Sequence, residues 1–227
     1  MILSLETSTS VCSLALHQEG LCLAEQVYNL PKSHATLMPE VIRQLLDNLN
    51  VQRSALEAIA ISDGPGSYTG LRIGTATGKG LCSALEIPLI SVNSLDIMIE
   101  EMRPIVADIS YIAPMIDARR MEVYMKLIDK KGSELKDTRA VILTPDLFDN
   151  YIEYPILLVG DGARKCEGFI DHPHLKIVPD IYPRAQCMGI LAFQKFKEGS
   201  FENLQDFEPN YLKEFHTMPS KNPLGNL

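Results

Sequence analysis

"GPGSYTGLRIGTATGKG", residues 64–80, governs how the rest of this chain is read. Its glycines and its lysine suggest a phosphate cradle, but the spacing argues against one. A P-loop needs a glycine, four residues and then Gly-Lys-Ser/Thr, so that backbone N–H groups wrap the phosphates and a hydroxyl reaches magnesium. Only three residues separate Gly74 from Gly78, and Lys79 is followed by Gly80. The dinucleotide fingerprint G-x-G-x-x-G fails too: Gly64 and Gly66 fit, but Thr69 stands at the third place and Gly70 comes one residue late. Spaced by fours, Gly70, Gly74 and Gly78 share one face if residues 70–85 are helical. Each costs up to ~1 kcal/mol against alanine, so the close approach of another backbone must offset the loss. That backbone belongs either to the protein's own sheet or to a helix of a second chain, and the glycines alone leave both readings open.

Strands and helices alternate on either side of this stretch. "MILSLET", "VCSLALHQEG" and "LCLAEQVYNL" read as three strands, with Gly20 in a turn. "TLMPEVIRQLLDNLN" reads as a helix; with Thr36 as N-cap, Pro39 falls in the first turn where no amide is needed, and an earlier start implies a kink there. Leu37, Val41 and Leu45 make one apolar row, and Met38, Ile42, Leu46 and Leu49 make a row beside it. Strand "AIAIS", the glycine-ridge helix, strand "IPLISV" and helix "SLDIMIEEM" follow. A similar order returns from about residue 111. "YIAPMIDARRMEVYMKLIDKKG" is strand, tight turn and strand; "ELKDTRAVILT" is a third strand; "TPDLFDNYI" is a helix with Thr144 as N-cap; "PILLVGDG" is a buried strand. A short helix "ARKCEGFI" and a longer one, "RAQCMGILAFQKFKEG", complete it.

Three strands, a helix and a strand therefore occur twice, which implies two lobes of βββαβα order. The expected organisation is an N-terminal lobe over 1–103, a C-terminal lobe over 104–205 and a polar, Pro-rich tail over 206–227. This α/β order resembles the acetate kinase, hexokinase, actin and Hsp70 (ASKHA) group, in which the first hairpin turn touches phosphates. Here that turn is "ETSTS", Glu6 to Ser10. Thr7, Ser8 and Thr9 are candidate phosphate donors, and equally good turn residues.

Composition narrows the function classes. With 227 residues, 46% of them hydrophobic, the chain supports a substantial core. No apolar run reaches bilayer length, and "MILSLETSTS" lacks the basic region of a secretory signal. The five cysteines form no C-x-x-C pair, so reduced thiols in a cytoplasmic protein are expected, without zinc. The net charge is −8, split −5 and −3 about Arg103/Pro104. Neither part is a basic footprint for nucleic acid.

"ILSLETSTSVCSLAL", "GPGSYTGLRIGTATGKGL", "IDARRMEVY", "GDGA" and "EPNYL", in this order, resemble the TsaB (YeaZ) family over almost the full chain. The resemblance implies a role in adding threonylcarbamoyl to the adenosine beside the tRNA anticodon. It implies a non-catalytic partner of the related transferase TsaD, with the ATPase TsaE joining them. ATP and metal are then expected on those subunits and no cofactor on this one, with tRNA engaged only indirectly. TsaD-type proteins carry an H-x-x-x-H metal pair after the strand that follows their glycine-rich helix. Here Ser94 and Met98 take those places, and a hydroxyl and a thioether are poor ligands for a divalent ion.

The remaining chemistry-bearing residues give no pattern. His172 and His174 in "DHPHL" read as solvated loop histidines without a fourth ligand; His17, His34 and His216 stand alone. Ser67 lies in no G-x-S-x-G elbow, and no protease metal or triad is evident. Asp117, Arg119 and Arg120 sit on a hairpin turn, as a turn-stabilising carboxylate with an internal ion pair or as arginines for an anion or partner.

By the resemblance, the glycine-ridge helix and helix 36–49 form half of a four-helix contact with TsaD. The expected interface residues are Leu37, Val41, Leu45, Gly70, Leu71, Arg72, Gly74, Thr75 and Gly78. Without TsaD the same surface implies a homodimer. The rival reading is an independent small-molecule kinase-like phosphotransferase of the same fold, with Glu6 or Asp117 as base.

Overall fold

The computed structural model describes residues 1–29, 34–103 and 108–213. Strands β1 (Ile2–Glu6), β2 (Cys12–Gln18), β3 (Leu21–Tyr28), β4 (Ala58–Gly64) and β5 (Leu89–Asn93) form one sheet in the order β3-β2-β1-β4-β5. β1 runs antiparallel to β2 and parallel to β4. Every residue of β1 is buried, as a strand covered on both faces requires. Helices α1 (His34–Asn48) and α2 (Tyr68–Leu85) cover one face. Leu3, Leu5, Leu14, Ile59 and Ile61 point into that layer and meet Met38, Val41 and Leu45 of α1.

The second sheet repeats the pattern. β6 (Tyr111–Asp117), β7 (Glu122–Asp129), β8 (Glu134–Ile142), β9 (Ile156–Val159) and β10 (Leu175–Val178) lie in the order β8-β7-β6-β9-β10. β6 stands where β1 does, antiparallel to β7 and parallel to β9. The two lobes thus share one topology, that of the ASKHA group.

The second lobe departs from the expected helices. Residues 144–152 form turns and a short 3-10 segment, Asp149–Tyr151, and "ARKCEGFI" supplies another, Asp161–Cys166. Nine residues are too few for an isolated helix, and burying Phe148 fixes the chain in turns instead. β10 follows the loop "DHPHL", in a stretch to which the sequence reading assigned no element. α1 starts at His34, which places Pro39 beyond the first turn; the side chain of Thr36 lies outside the described residues, as does that of His34.

Two helices join the lobes. α3 (Ser94–Met102) follows β5 yet packs Leu95, Met98, Ile99 and Met102 on Ile112, Ile116, Leu157 and Val159 of the second sheet. Lys126 of β7 is buried between Asp96 of α3 (2.7 Å) and Glu134 (2.8 Å). α4 (Ala185–Glu198) falls within 104–205 by sequence but lies on the free face of the first sheet, where Met188 and Ala192 meet Ile2, Ala60 and Val92. Its N-terminal amides explain the placement: Ala185 N–H donates to Ser13 Oγ (2.8 Å) and Gln186 N–H to Glu25 (3.0 Å), filling two of the acceptor places a helix start lacks. Gly189 lets α4 sit directly on the ring of His17, where a Cβ would have no room.

The chain then returns across the molecule as a strap. Glu202 N–H donates to Leu89 O (2.9 Å), and Leu204 and Phe207 pack on the first core. Asn210 N–H donates to Asp63 O (2.7 Å), and Lys213 donates to Ala118 O (3.2 Å) in the second lobe and pairs with Glu122. The first eight residues of the expected tail are therefore docked; 214–227, with His216, lie outside the described residues.

Candidate functional site

The glycine ridge faces inward. A Cβ at Gly70 would collide with the carbonyl oxygen of Thr7, and one at Gly74 with the Thr7 hydroxyl. At Gly78 it would sit 2.8 Å from Cγ2 of Ile61. α2 thus sets its bare side against the turn after β1 and against Ile61 and Leu89 of β4 and β5, and the chain it approaches is the protein's own. Of the nine residues expected at an interface, Val41, Leu45, Gly70, Leu71, Gly74, Thr75 and Gly78 are buried within the chain. Leu37 is half-buried against the first core, and Arg72 is exposed with its guanidinium 4.2 Å from the Tyr68 ring centre. These seven are corrected from docking residues to core residues, because close helix–sheet packing takes the bare side of the helix.

The same packing seals the first hairpin turn. Thr7, Ser8 and Thr9 are all buried. Thr7 donates its hydroxyl to Gly70 O (2.8 Å), and Ser67 N–H donates to Ser8 O (2.6 Å). Loop 64–70 lies over the turn where a phosphate would have to enter. Glu6 is fully buried. Its Oε1 accepts from Ser8 N–H at 2.6 Å, and Oε2 has no partner among the described residues. Burial raises its carboxyl to about 7, against the pull of the Ser8 and Ser62 groups beside it, with Asp63 adding to the rise. Ser67 is the N-cap of α2, its hydroxyl accepting from Gly70 N–H (3.3 Å).

The other candidates also find structural places. Ser94 and Met98 are both buried, Met98 in the inter-lobe core. His172 is buried rather than solvated: its Nε2 lies 3.2 Å from Tyr151 O, and its Nδ1 accepts from His174 N–H. His17 is buried between Ser4 Oγ and Gln186 O, 3.2 Å from each. Burial lowers its pKa, opposed by neighbouring backbone carbonyls. Asp117 accepts from Arg119 N–H (2.5 Å) and pairs with Lys165 (2.6 Å). The carboxylate does stabilise the turn, but its ion-pair partner is a lysine, and Arg119 and Arg120 project into solvent.

What α1 and α2 leave open is the groove between their outer faces. It has a volume of about 420 Å³ and is lined by Pro39, Ile42, Leu46, Leu56, Ala76, Gly80, Leu81, Ala84 and Leu85, with Arg43 and Arg53 at its margin. Arg43 is held by Glu40 and Asp47 at 2.6 Å each. Sequence reasoning named both helices by faces that the fold buries, and the open side is the other one. The signal was present as a second small-residue row, Ala76-Gly80-Ala84, which lies between the glycines of the first. A Cβ on Gly80 would meet nothing within 4 Å among the described residues.

A protein-family model described as TsaD, tRNA N6-adenosine threonylcarbamoyltransferase, matches residues 23–144, more than half of the chain. The tRNA threonylcarbamoyladenosine biosynthesis protein TsaB of Bacillus subtilis (strain 168) is 35% identical over 135 residues, covering 60% of this chain and 58% of that protein. TsaB of Escherichia coli (strain K12) is 29% identical over 224 residues, 93% of this chain and 94% of that one. The solved structure of YeaZ from Pseudomonas aeruginosa superposes with a TM-score of 0.78 at 29% identity, covering 93% of this chain and 99% of that one. With that fold, that length and residues 23–144 in common, the chain belongs to the family the TsaD model describes and, within it, to the TsaB (YeaZ) proteins.

Proposed function

We propose that this chain is a non-catalytic subunit of the machinery that places threonylcarbamoyl on the adenosine next to the tRNA anticodon, and that TsaD docks in the α1–α2 groove. The observation that carries the reading is the groove itself: an open apolar trough between the two long helices of the first lobe. Apolar surface of this kind on a water-facing lobe calls for a partner.

TsaD is the occupant because of where the match falls. The TsaD family model covers residues 23–144, which include α1 and α2 whole. A transferase with a related helix pair offers a related surface, and two related surfaces pair about a pseudo-twofold axis much as identical ones do about a true one. Ridge-into-groove packing of two helix pairs gives a four-helix contact, and an ordinary interface buries ~1,600 Å². In isolation a second copy of this chain takes the same place, giving a homodimer that TsaD displaces. TsaE joins the assembled pair, and ATP and metal are held by the partners.

The kinase-like alternative gains nothing from the geometry. Glu6 is sealed under loop 64–70, and Asp117 is tied to Lys165. The deciding experiment is co-purification with the TsaD of the same organism, followed by reconstitution of the tRNA modification with and without this chain. The reading requires a stable complex and loss of product when the chain is omitted. A chain that hydrolyses ATP alone and ignores TsaD sinks it.

A further inference from the structure

The hairpin between β6 and β7 turns on two arginines. Arg119 and Arg120 have φ of 69° and 48°, a left-handed pair that glycine or asparagine fills at little cost and other residues only under strain. The turn is held from below: Asp117 accepts from Arg119 N–H, and Lys165 holds Asp117. Both arginine side chains are exposed, and among the described residues no ion pair includes either of them. Backbone held in a sparsely populated region points to a side chain that is wanted there.

The surroundings say what for. Lys213 reaches Ala118 O just before the tip and, together with Tyr124 of β7, lines a slot that Tyr68 of α2 and Tyr211 of the strap close. The Tyr68 and Tyr211 rings lie 4.7 Å apart, and Arg72 stacks on Tyr68. Burial raises the Tyr124 phenol, Glu122 adds to the rise and Arg119 opposes it, which sets Arg119 on the same side. The nearby carboxylates are committed, Glu122 to Lys213 and Asp117 to Lys165. Among the described residues no ion pair includes Arg72, Arg119 or Arg120, so one guanidinium on the tilted tyrosine pair and two on the adjoining hairpin tip stand without a counter-charge, on a chain whose net charge is −8.

We infer that this surface is a direct RNA contact, taking backbone phosphates of a single-stranded loop on Arg119 and Arg120 and a base edge or face against the tyrosines and Arg72. Guanidinium forks match phosphate geometry, and aromatic platforms take splayed bases of loops rather than of duplexes. The patch adjoins the proposed TsaD groove: Arg72 lies one helical turn from Ala76 on α2. An RNA held by the partner therefore passes within reach. This inference rests on the proposed role in tRNA modification.

Fluorescence anisotropy with a labelled tRNA anticodon stem-loop, and with an RNA duplex of matched charge, tests it on the purified protein. Arg119→Ala with Arg120→Ala should weaken stem-loop binding about tenfold or more and lower the slope of log K against log salt by about 1.4, two contacts on a single strand. Arg119→Asn with Arg120→Gly should lose the same binding while melting about 2–4 °C higher, because the turn is relieved. A purely structural hairpin would gain the stability and show no change in binding. Tyr211→Ala should weaken the stem-loop and spare the duplex. Wild-type affinity in either double variant overturns the inference, as does a wild-type protein that does not bind the stem-loop. Loss of TsaD pairing in the arginine variants also overturns it, by assigning the surface to a protein partner. If the arginines govern RNA binding but no TsaD complex forms, the RNA contact stands and the docking proposal fails.

Discussion

Gly78 of α2 lies over Ile61 of β4 so closely that a Cβ there would be 2.8 Å from Ile61 Cγ2 and 3.2 Å from Leu89 Cδ1. One turn earlier Gly74 meets Thr7 in the same way. The helix axis is set by these two contacts, and through it the outer face that borders the groove. Gly78→Leu and Gly74→Leu should therefore destabilise the monomer by at least ~3 kcal/mol, the upper range for overpacking a core, or prevent folding. Urea unfolding checks this. Variants with a wild-type midpoint that lose only TsaD pairing would mean that the ridge faces a partner.

Gly80 sits two residues further on and behaves oppositely. Nothing among the described residues lies within 4 Å of its missing Cβ, so Gly80→Ala should stabilise the helix by up to ~1 kcal/mol. Gly80→Arg places a long cation in the apolar trough and should leave the melting curve near wild type while abolishing both self-pairing and TsaD pairing. Sedimentation of the variant alone and with TsaD reads this directly. A dimer that survives the arginine would locate the interface elsewhere.

The contrast between Gly78 and Gly80 shows where the sequence was legible. Period-four glycines announced a helix in close contact, and that contact exists; whether the neighbour was a sheet or a second chain depends on tertiary placement that no local pattern encodes. The succession of strands could be read, β10 excepted, because alternation and apolar runs are local. The second lobe's missing helices could not, since "TPDLFDNYI" carries a good cap but its fate was settled by burial of Phe148. The home of α4 was equally hidden: its caps, Ser13 and Glu25, lie more than a hundred residues away in sequence. The groove was half legible, as the row Met38-Ile42-Leu46-Leu49 was noticed but its neighbour was taken as the docking face.

The close fit of α4 on the first sheet gives a further expectation. Ala185, Gly189 and Ala192 bring the helix down on a polar seam that includes Ser13 and His17. Gly189→Val would force the helix off the His17 ring, and with it break the distances from Ser4 to His17 and from His17 to Gln186 O. A loss of about 2–4 kcal/mol in urea unfolding is expected, as for a buried clash with a disrupted hydrogen-bond chain. Hydrogen exchange should quicken in both α4 and β2. A change confined to α4 would show that the helix is not anchored by this seam.

Glu6 makes the stability of the protein depend on pH. Its carboxyl titrates near 4.5 when exposed and at about 7 in the fold, because burial penalises the charged form. Between these values the folded chain holds a proton that the unfolded chain has released. Stability therefore falls as pH rises through this window, by a few kcal/mol for a wholly buried group, and is flat below it. Asp63, raised by burial to about 6, adds a smaller slope of the same sign. Glu6→Gln keeps an oxygen to accept from Ser8 N–H and removes the charge. It should match the wild type at about pH 5 and exceed it at about pH 8, with most of the slope between them gone. Urea midpoints across that range provide the measurement. A variant whose pH profile overlays the wild type would show that Glu6 ionises freely in the native state, and that the turn beneath loop 64–70 is open to water.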